Sequence, residues 1–184
     1  THLLDTHDGT YNISYIKKFL PDVPVRLVRL AEREQGLIVA PGNPGKLSAI
    51  RDLARDDVVF INRQSGSGTR VLLDFHLRGA GVDPAVITGY ENEEFTHMAV
   101  AVAVLGGAAD AGLGIRAAAR ALGLDFIPVA TESYELMIPE AFAESGRIRL
   151  LTEMIGSEQF IERLHAMGGY HTQNTGRVVW KSHQ

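Results

Sequence analysis

Cysteine is absent from the 184-residue chain, which excludes a disulfide framework, a zinc–thiolate site and a thiol nucleophile. The absence also fits a reducing compartment. No run of about 18 apolar residues could span a bilayer, so we predict no membrane partner. The formal net charge of −4 argues against sequence-independent nucleic-acid binding, which needs a basic surface.

Recognisable catalytic and metal-binding patterns are also missing. The seven histidines lack a tight ligand spacing such as His-Glu-x-x-His, and no Gly-x-Ser-x-Gly elbow is present. Paired acids such as Glu93-Glu94 are adjacent in sequence, which is typical of a solvated face rather than an acid–base couple. We therefore predict no metal ion, no catalytic residue and no enzymatic activity for this chain.

The most informative stretch that is present runs from Asn62 to Arg70. A β-branched and aromatic run precedes it and an apolar helical pattern follows it, so the segment reads as strand, glycine–serine turn and helix. Such a turn presents free backbone N–H groups at the positive end of a helix dipole, which suits an anion. Hydroxyl groups and one arginine add further donors. The candidate ligand residues in this turn are Ser65, Gly66, Ser67, Gly68, Thr69 and Arg70.

Two ordinary explanations compete with this interpretation. Serine and threonine before a helix are usually N-caps, and glycines there are usually turn residues. Arg70 could instead form a salt bridge with a nearby carboxylate.

The rest of the chain alternates strand and helix patterns, which predicts an α/β architecture with a mostly parallel sheet. Residues 98–105 favour a helix, with Glu93 and Glu94 in its first turn and Gly106-Gly107 as its stop. Further strands are predicted at residues 25–30, 36–40, 86–90 (or an extended link), 108–115, 126–129 and 134–138, and further helices at 116–122 and after Ser157.

Several motifs together resemble the type 2 periplasmic-binding-protein superfamily. The resemblance is to its intracellular branch, whose domains are attached to molybdopterin molybdenumtransferase-like or DNA-binding domains. It covers nearly the whole chain and rests on His2-Leu3-Leu4-Asp5, Gly9-Thr10-Tyr11-Asn12, the run from Glu34 to Pro44, the run from Asn62 to Arg70, Thr96-His97-Met98-Ala99-Val100-Ala101 and Ala109-Asp110-Ala111-Gly112-Leu113-Gly114.

The resemblance implies a two-lobed α/β fold, with residues 1–41 and 132–184 in the first lobe and 42–131 in the second. It also implies that the first lobe is incomplete, because domains of this family normally begin with a strand, a helix and a ligand-facing turn before the position of Thr1. The implied ligand is a small anion, with molybdate or tungstate favoured and no other cofactor. The implied location is the cytoplasm, and the oligomeric state stays open.

Three further candidate ligand residues follow from this resemblance. Thr96 and His97 would face the ligand from a second helix start, and Tyr134 would donate its hydroxyl beside a hinge strand. The ordinary alternatives are an N-cap for Thr96, a partly buried histidine and a tyrosine that anchors the crossing. Two rival functions remain: an organic-acid effector domain similar to those of LysR-type regulators, and an accessory domain of a molybdenum-cofactor biosynthetic enzyme.

Overall fold

The computed structural model describes residues 1–182 and contains seven helices and seven strands in that range. The helices are α1 (Ile13–Phe19), α2 (Gly68–Ala80), α3 (His97–Leu105), α4 (Arg116–Ala121), α5 (Glu140–Ala143), α6 (Gly146–Ile155) and α7 (Glu158–Met167). The strands are β1 (Val25–Val39), β2 (Phe60–Arg63), β3 (Glu93–Glu94), β4 (Ala111–Ile115), β5 (Asp125–Pro139), β6 (Tyr170–His171) and β7 (Val178–Lys181). Two short 3₁₀ turns lie at Ile50–Ala54 and Pro84–Val86.

The chain forms two compact units. Unit 1 comprises Thr1–Arg33 and the chain from Glu132 onward, and unit 2 comprises Glu34–Thr131. The chain passes between the units within two long strands, β1 and β5, of 15 residues each. The lobe limits expected from the sequence, 1–41 with 132–184 and 42–131, stay a prediction.

Each long strand replaces two shorter strands that the sequence analysis separated. The expected break between residues 30 and 36 does not occur in β1, because its polar side chains are paired and the backbone remains extended. Arg33 forms an ion pair with the buried Glu132, and the side chain of Gln35 donates to Thr69. Gly36 allows close packing there, because a Cβ atom would clash with the carbonyl oxygen of Ile127.

The sheet is mixed, whereas the sequence predicted a mostly parallel one. Strand β2 is parallel to both β3 and β4, while β1 is antiparallel to β4, β6 and β7. The strand order is β3-β2-β4-β1-β5, with β6 and β7 paired to β1. Parallel pairing requires crossover connections, and helices α2 and α3 supply them only among β2, β3 and β4.

Unit 2 contains the central parallel strands with apolar side chains on both faces. One core cluster joins Phe60 of β2 and Leu113 of β4 to Leu73 of α2. The other joins Val100 of α3 to Ala118 of α4 and to β1. Helices on both sides of the strands are the expected arrangement for a buried parallel sheet.

Unit 1 is held by smaller apolar clusters and a network of buried charges. Ile16 of α1 packs on the start of β1, and Ala143 of α5 packs on Ile138 of β5. The carboxylate of Glu135 accepts from Asn12 at 2.8 Å and pairs with Arg29 at 3.0 Å. These bonds satisfy a carboxylate that would otherwise be costly to bury.

The other sequence predictions agree with the structure in part. The helices beginning near residues 68, 97, 116 and 158 are present, and Ser157 caps α7 as expected. Glu93 and Glu94 form β3 rather than the first turn of α3, because they pair with Asn62 and Arg63 of β2. Residues 86–90 form no strand, and Val86 is the last residue of a 3₁₀ turn that begins at Pro84.

Candidate functional site

The start of helix α2 has the geometry expected of an anion-binding turn. Gly66 adopts a φ of +81°, which glycine tolerates without strain. Ser67 is the N-cap, and its hydroxyl accepts from the Arg70 N–H at 3.2 Å. Among the bonds between described residues, the N–H groups of Gly66, Gly68 and Thr69 donate to no protein acceptor. This leaves several donors at the positive end of a 13-residue helix.

The Thr69 hydroxyl is a further donor in this turn. Thr69 is only 3% exposed, and its hydroxyl oxygen accepts from the Nε2 group of Gln35 at 3.1 Å. Because that bond uses an oxygen lone pair, the hydroxyl proton is left to donate elsewhere. Within residues 1–182 it donates to no protein acceptor. A buried hydroxyl normally finds an acceptor, so this proton is available to a water molecule or to a bound ligand.

Helix α3 begins at the same edge of the sheet as α2. The parallel register of β2 and β3 aligns their carboxyl ends, and the Gln64 N–H donates to the Glu94 carbonyl at 3.1 Å. Thr96 caps α3 by accepting from the Ala99 N–H at 3.0 Å. His97 lies beside β4, close to Gly114. Ligands of open α/β sheets bind at this carboxyl edge.

The guanidinium groups of Arg63 and Arg70 both contact other protein groups at this edge of the sheet. The guanidinium of Arg63 donates to the carbonyls of Glu94 and Phe95 at 3.2 and 3.0 Å, which fixes the entry to α3. The guanidinium of Arg70 pairs with Glu93 at 3.1 Å, and its Cζ lies 4.0 Å from the ring centroid of Tyr90.

The charge of Arg70 is therefore largely compensated within unit 2. Besides Glu93, the Asp74 carboxylate lies 3.5 Å from the Arg70 Nε group. Burial lowers the pKa of the guanidinium, but its hydrogen bond with Tyr90 and the charges of Asp74 and Glu93 outweigh that effect and raise the pKa. Glu93 also accepts from the Ser65 N–H at 2.9 Å. These contacts favour the salt-bridge alternative for Arg70, which holds the turn in place.

Tyr134 belongs to unit 1, where two neighbours flank its ring. The Cζ atom of Arg33 lies 4.9 Å from the ring centroid, and the ring of His2 lies at the same centroid distance. Packing against the Arg33 cation and the His2 ring therefore holds the Tyr134 side chain in place.

Eight of the nine candidate residues thus lie in unit 2, those from Ser65 to Arg70 at the start of α2 and Thr96 and His97 at the start of α3. Sequence reasoning missed Gln35 and Arg63. Gln35 lies in a polar part of β1 that resembled a break between strands, and no sequence signal links it to Thr69. Arg63 directly precedes the turn, but only the β2–β3 register shows that it contacts Glu94 and Phe95.

Among residues 1–182, no group of three histidine, aspartate or glutamate side chains is arranged to hold a metal ion. No helix in that range is long and apolar enough to cross a bilayer.

The chain is similar to known proteins in sequence. It is 38% identical to the Bacillus subtilis protein YvgK over 178 residues, which is 97% of this chain. The chain spans 57% of the length of that relative.

Solved structures share the fold at low sequence identity. The substrate-binding domain assigned to a molybdenum ABC transporter from Clostridium difficile superposes with a TM-score of 0.59 at 15% identity, covering 86% of this chain and 72% of that one. The regulatory domain of CcmR from Synechocystis PCC6803, solved in complex with 2-PG, gives 0.56 at 16% identity, covering 73% and 66%.

The model of the PBP superfamily domain matches residues 1–156. This match confirms both the resemblance drawn from the sequence motifs and the α/β fold of the periplasmic-binding-protein type. The chain therefore belongs to the periplasmic-binding-protein-like family.

Proposed function

We propose that this chain is a non-enzymatic, small-anion-binding domain that acts as a sensor or receptor. One observation carries the proposal: the N–H groups of Gly66, Gly68 and Thr69 and the hydroxyl of Thr69 have no protein acceptor among residues 1–182. They lie at a helix start, at the carboxyl ends of the parallel strands β2 and β3. An anion there receives several hydrogen bonds and a favourable helix dipole.

Neutral donors make up most of this proposed site. Hydrogen bonds from neutral groups to an ionised acceptor contribute about 1.5–3 kcal/mol each, so binding does not require an unpaired cation. In this account Arg70 positions the turn through Glu93, and the net charge of −4 does not oppose a site built from local dipoles. The proposed ligand residues in unit 2 are Ser65, Gly66, Ser67, Gly68, Thr69, Thr96 and His97, and a ligand contact from Tyr134 of unit 1 stays a prediction from the sequence.

Molybdate or tungstate is the anion we favour. Both are tetrahedral dianions, which a cluster of N–H and O–H donors matches well. The fold neighbour from a molybdenum transporter supports this choice. The domain would then report oxyanion supply to molybdenum-cofactor biosynthesis or its regulation in the cytoplasm, through an attached enzymatic or DNA-binding domain.

The second candidate is an effector domain for a small organic acid, similar to those of LysR-type regulators. The CcmR regulatory domain, solved with 2-PG, supports it. A third possibility, an accessory domain of a cofactor-assembly enzyme, would use the same anion site and leave catalysis to the attached domain.

Isothermal titration of the 184-residue chain tests the proposal. The probes are molybdate, tungstate, sulfate, phosphate and 2-PG, each titrated separately into the same folded sample. Saturable binding of molybdate or tungstate supports the first candidate, and binding of 2-PG alone supports the second. A folded chain that binds none of the five anions would overturn the anion-binding function.

Thr69→Val tests the site itself, because it removes the hydroxyl and keeps the shape. Losing one hydrogen bond to an anion should weaken binding by about tenfold or more. Thr131→Val, at an exposed threonine of the same unit, is the matched control and should bind like the wild type. Equal affinities for the two variants would place the anion elsewhere.

A further inference from the structure

One helix exposes an apolar face that no described part of the chain covers. Phe95 is 72% exposed just before α3, and on the helix Met98 is 43%, Val102 53% and Leu105 53% exposed. The opposite face is ordinary core, because Val100, Ala101 and Val104 are buried against β4 and α4. Large apolar side chains clustered on one surface mark an interaction site more often than single exposed ones do.

The spacing of these residues forms a regular seam. Within α3, positions 98, 102 and 105 follow steps of four and three residues, which is the spacing of two helices that pack side by side, and Phe95 extends the apolar surface just before the helix. A groove of about 640 Å³ runs along the seam and is lined largely by small residues, including Ala99, Ala103, Gly106 and Ala108. Small residues beside large ones let a second helix approach closely and insert its own large side chains.

We propose that a second copy of this chain covers the face, with the two α3 helices packed antiparallel across a two-fold axis. The seam is self-complementary in that arrangement, as a two-fold interface requires. Val102 meets Val102 of the other copy on the axis, and Met98 meets Leu105. Small residues beside these contacts, such as Ala99 and Ala103, let the two helices approach closely.

Charge also favours a second copy over a charged partner. The nine residues of α3, His97–Leu105, include no aspartate, glutamate, lysine or arginine. Each copy carries a net charge of −4, so most pairs of surfaces would repel one another. Glu94 lines one end of the groove, and an antiparallel pairing places the Glu94 side chains of the two copies at opposite ends of the interface.

The size of the face sets the expected strength of the dimer. A nine-residue helix is only about 14 Å long, so the pair buries less than the roughly 1,600 Å² of a standard interface. We therefore expect a reversible, concentration-dependent dimer rather than a permanent one.

Sedimentation equilibrium of the 184-residue chain over a wide concentration range measures this dimer. Val102→Glu places two like charges together on the axis and should shift the mass to that of a monomer at every concentration. Val86→Glu is the matched control, because Val86 is 55% exposed in the same unit but lies off the seam. Circular dichroism of both variants checks that they are folded.

Cross-linking gives a second readout that does not depend on destabilising the interface. The chain has no cysteine, so each introduced thiol is unique. Under mild oxidant Val102→Cys should form a disulfide-linked dimer, while Val86→Cys should not. A mixture of Met98→Cys and Leu105→Cys chains should give the mixed disulfide in preference to either symmetric one, because only that pair is juxtaposed in an antiparallel arrangement.

A wild type that is monomeric at every concentration would overturn the proposal and leave the face to a different macromolecule. A dimer that survives Val102→Glu, or that cross-links equally through Val86→Cys, would overturn it as well. Dimerisation that both glutamate variants abolish would count against the α3 seam as its cause.

Discussion

At the scale of single residues, the turn from Ser65 to Arg70 contains hydrogen-bond donors that are open to a ligand and an arginine that holds the turn in place. The backbone N–H groups and the Thr69 hydroxyl are available to an external acceptor, whereas Arg70 and Arg63 are engaged with the protein. A positive residue near an anion-binding turn is easily taken for a ligand. Here the guanidinium of Arg70 is already paired with the carboxylate of Glu93.

If Arg70 mainly pairs with Glu93, the stability lost on replacing Arg70 should be partly recovered by a second substitution at Glu93. Arg70→Met leaves the Glu93 carboxylate without its cation and should destabilise the fold by about 1–2 kcal/mol in urea unfolding. Adding Glu93→Gln should recover part of that loss, because the uncompensated charge disappears. Glu93→Gln alone serves as the control. A double variant no more stable than Arg70→Met would show that Arg70 acts independently of Glu93.

At the scale of elements, close packing against β4 depends on glycine. A Cβ atom at Gly112 would clash with Val100 of α3 and lie 2.7 Å from the Ile61 Cγ2 atom of β2. The small residues of β4 allow this close packing. Helix α3 could not pack on β4 at this distance with a larger residue.

Two glycine-to-alanine changes of opposite sign test this packing. Gly112→Ala should lower the free energy of unfolding by about 1–3 kcal/mol through overpacking. Gly79→Ala, in α2 with open space around its Cα, should raise it by about 0.5–1 kcal/mol. Thermal or urea unfolding of both measures the difference. A neutral Gly112→Ala would mean that α3 lies farther from β4 than the structure has it.

The stability of helix α2 should also depend on pH through His76. Burial lowers the pKa of His76 from its ordinary 6.5, so the folded state resists the proton that the unfolded state accepts. The stabilising contribution of the neutral His76 side chain is therefore complete above about pH 6.5 and is lost as the pH falls below that value.

The measurement is urea unfolding from about pH 8 to about pH 5 for the wild type and His76→Gln. The stability of the wild type relative to the variant should fall with acidification. A constant difference between the two proteins over that range would contradict the lowered pKa.

The sequence predicted the elements well where local signals are strong. The N-cap of α2, the glycine stop after α3 and the Ser157 cap are local features, and each appears as expected. The continuity of β1 and β5 could not be predicted in this way. It depends on partners distant in sequence, such as Glu132 for Arg33, which turn a polar stretch into a stable strand.

The same limit applies to the candidate site. Residues from Ser65 to Arg70 belong to one sequence motif, and that motif predicts all of them as candidate ligand residues. Gln35 was not found, because 34 residues separate it from Thr69 and only the fold brings the two together. Pairing Arg70 with Glu93 likewise required the short strand β3, which resembled the first turn of a helix.

At the scale of the whole molecule, membership of the periplasmic-binding-protein-like family fits an α/β chain with two long strands that pass between two units. The proposed dimer and the proposed anion site both use α3, but different parts of it. The site uses Thr96 and His97 at the helix start, while the proposed dimer axis passes through Val102, near the middle of the helix. Loss of either function should therefore leave the other measurable.

The most direct test of the central claim is a ¹⁵N–¹H NMR titration of the chain with molybdate and, separately, phosphate. If an anion binds at the start of α2, the amide signals of Gly66, Gly68 and Thr69 should shift furthest and saturate together, and Thr69→Val should weaken the response. If those three signals stay unchanged while the anion is shown to bind, or if the largest shifts fall in another part of the chain, the account is contradicted.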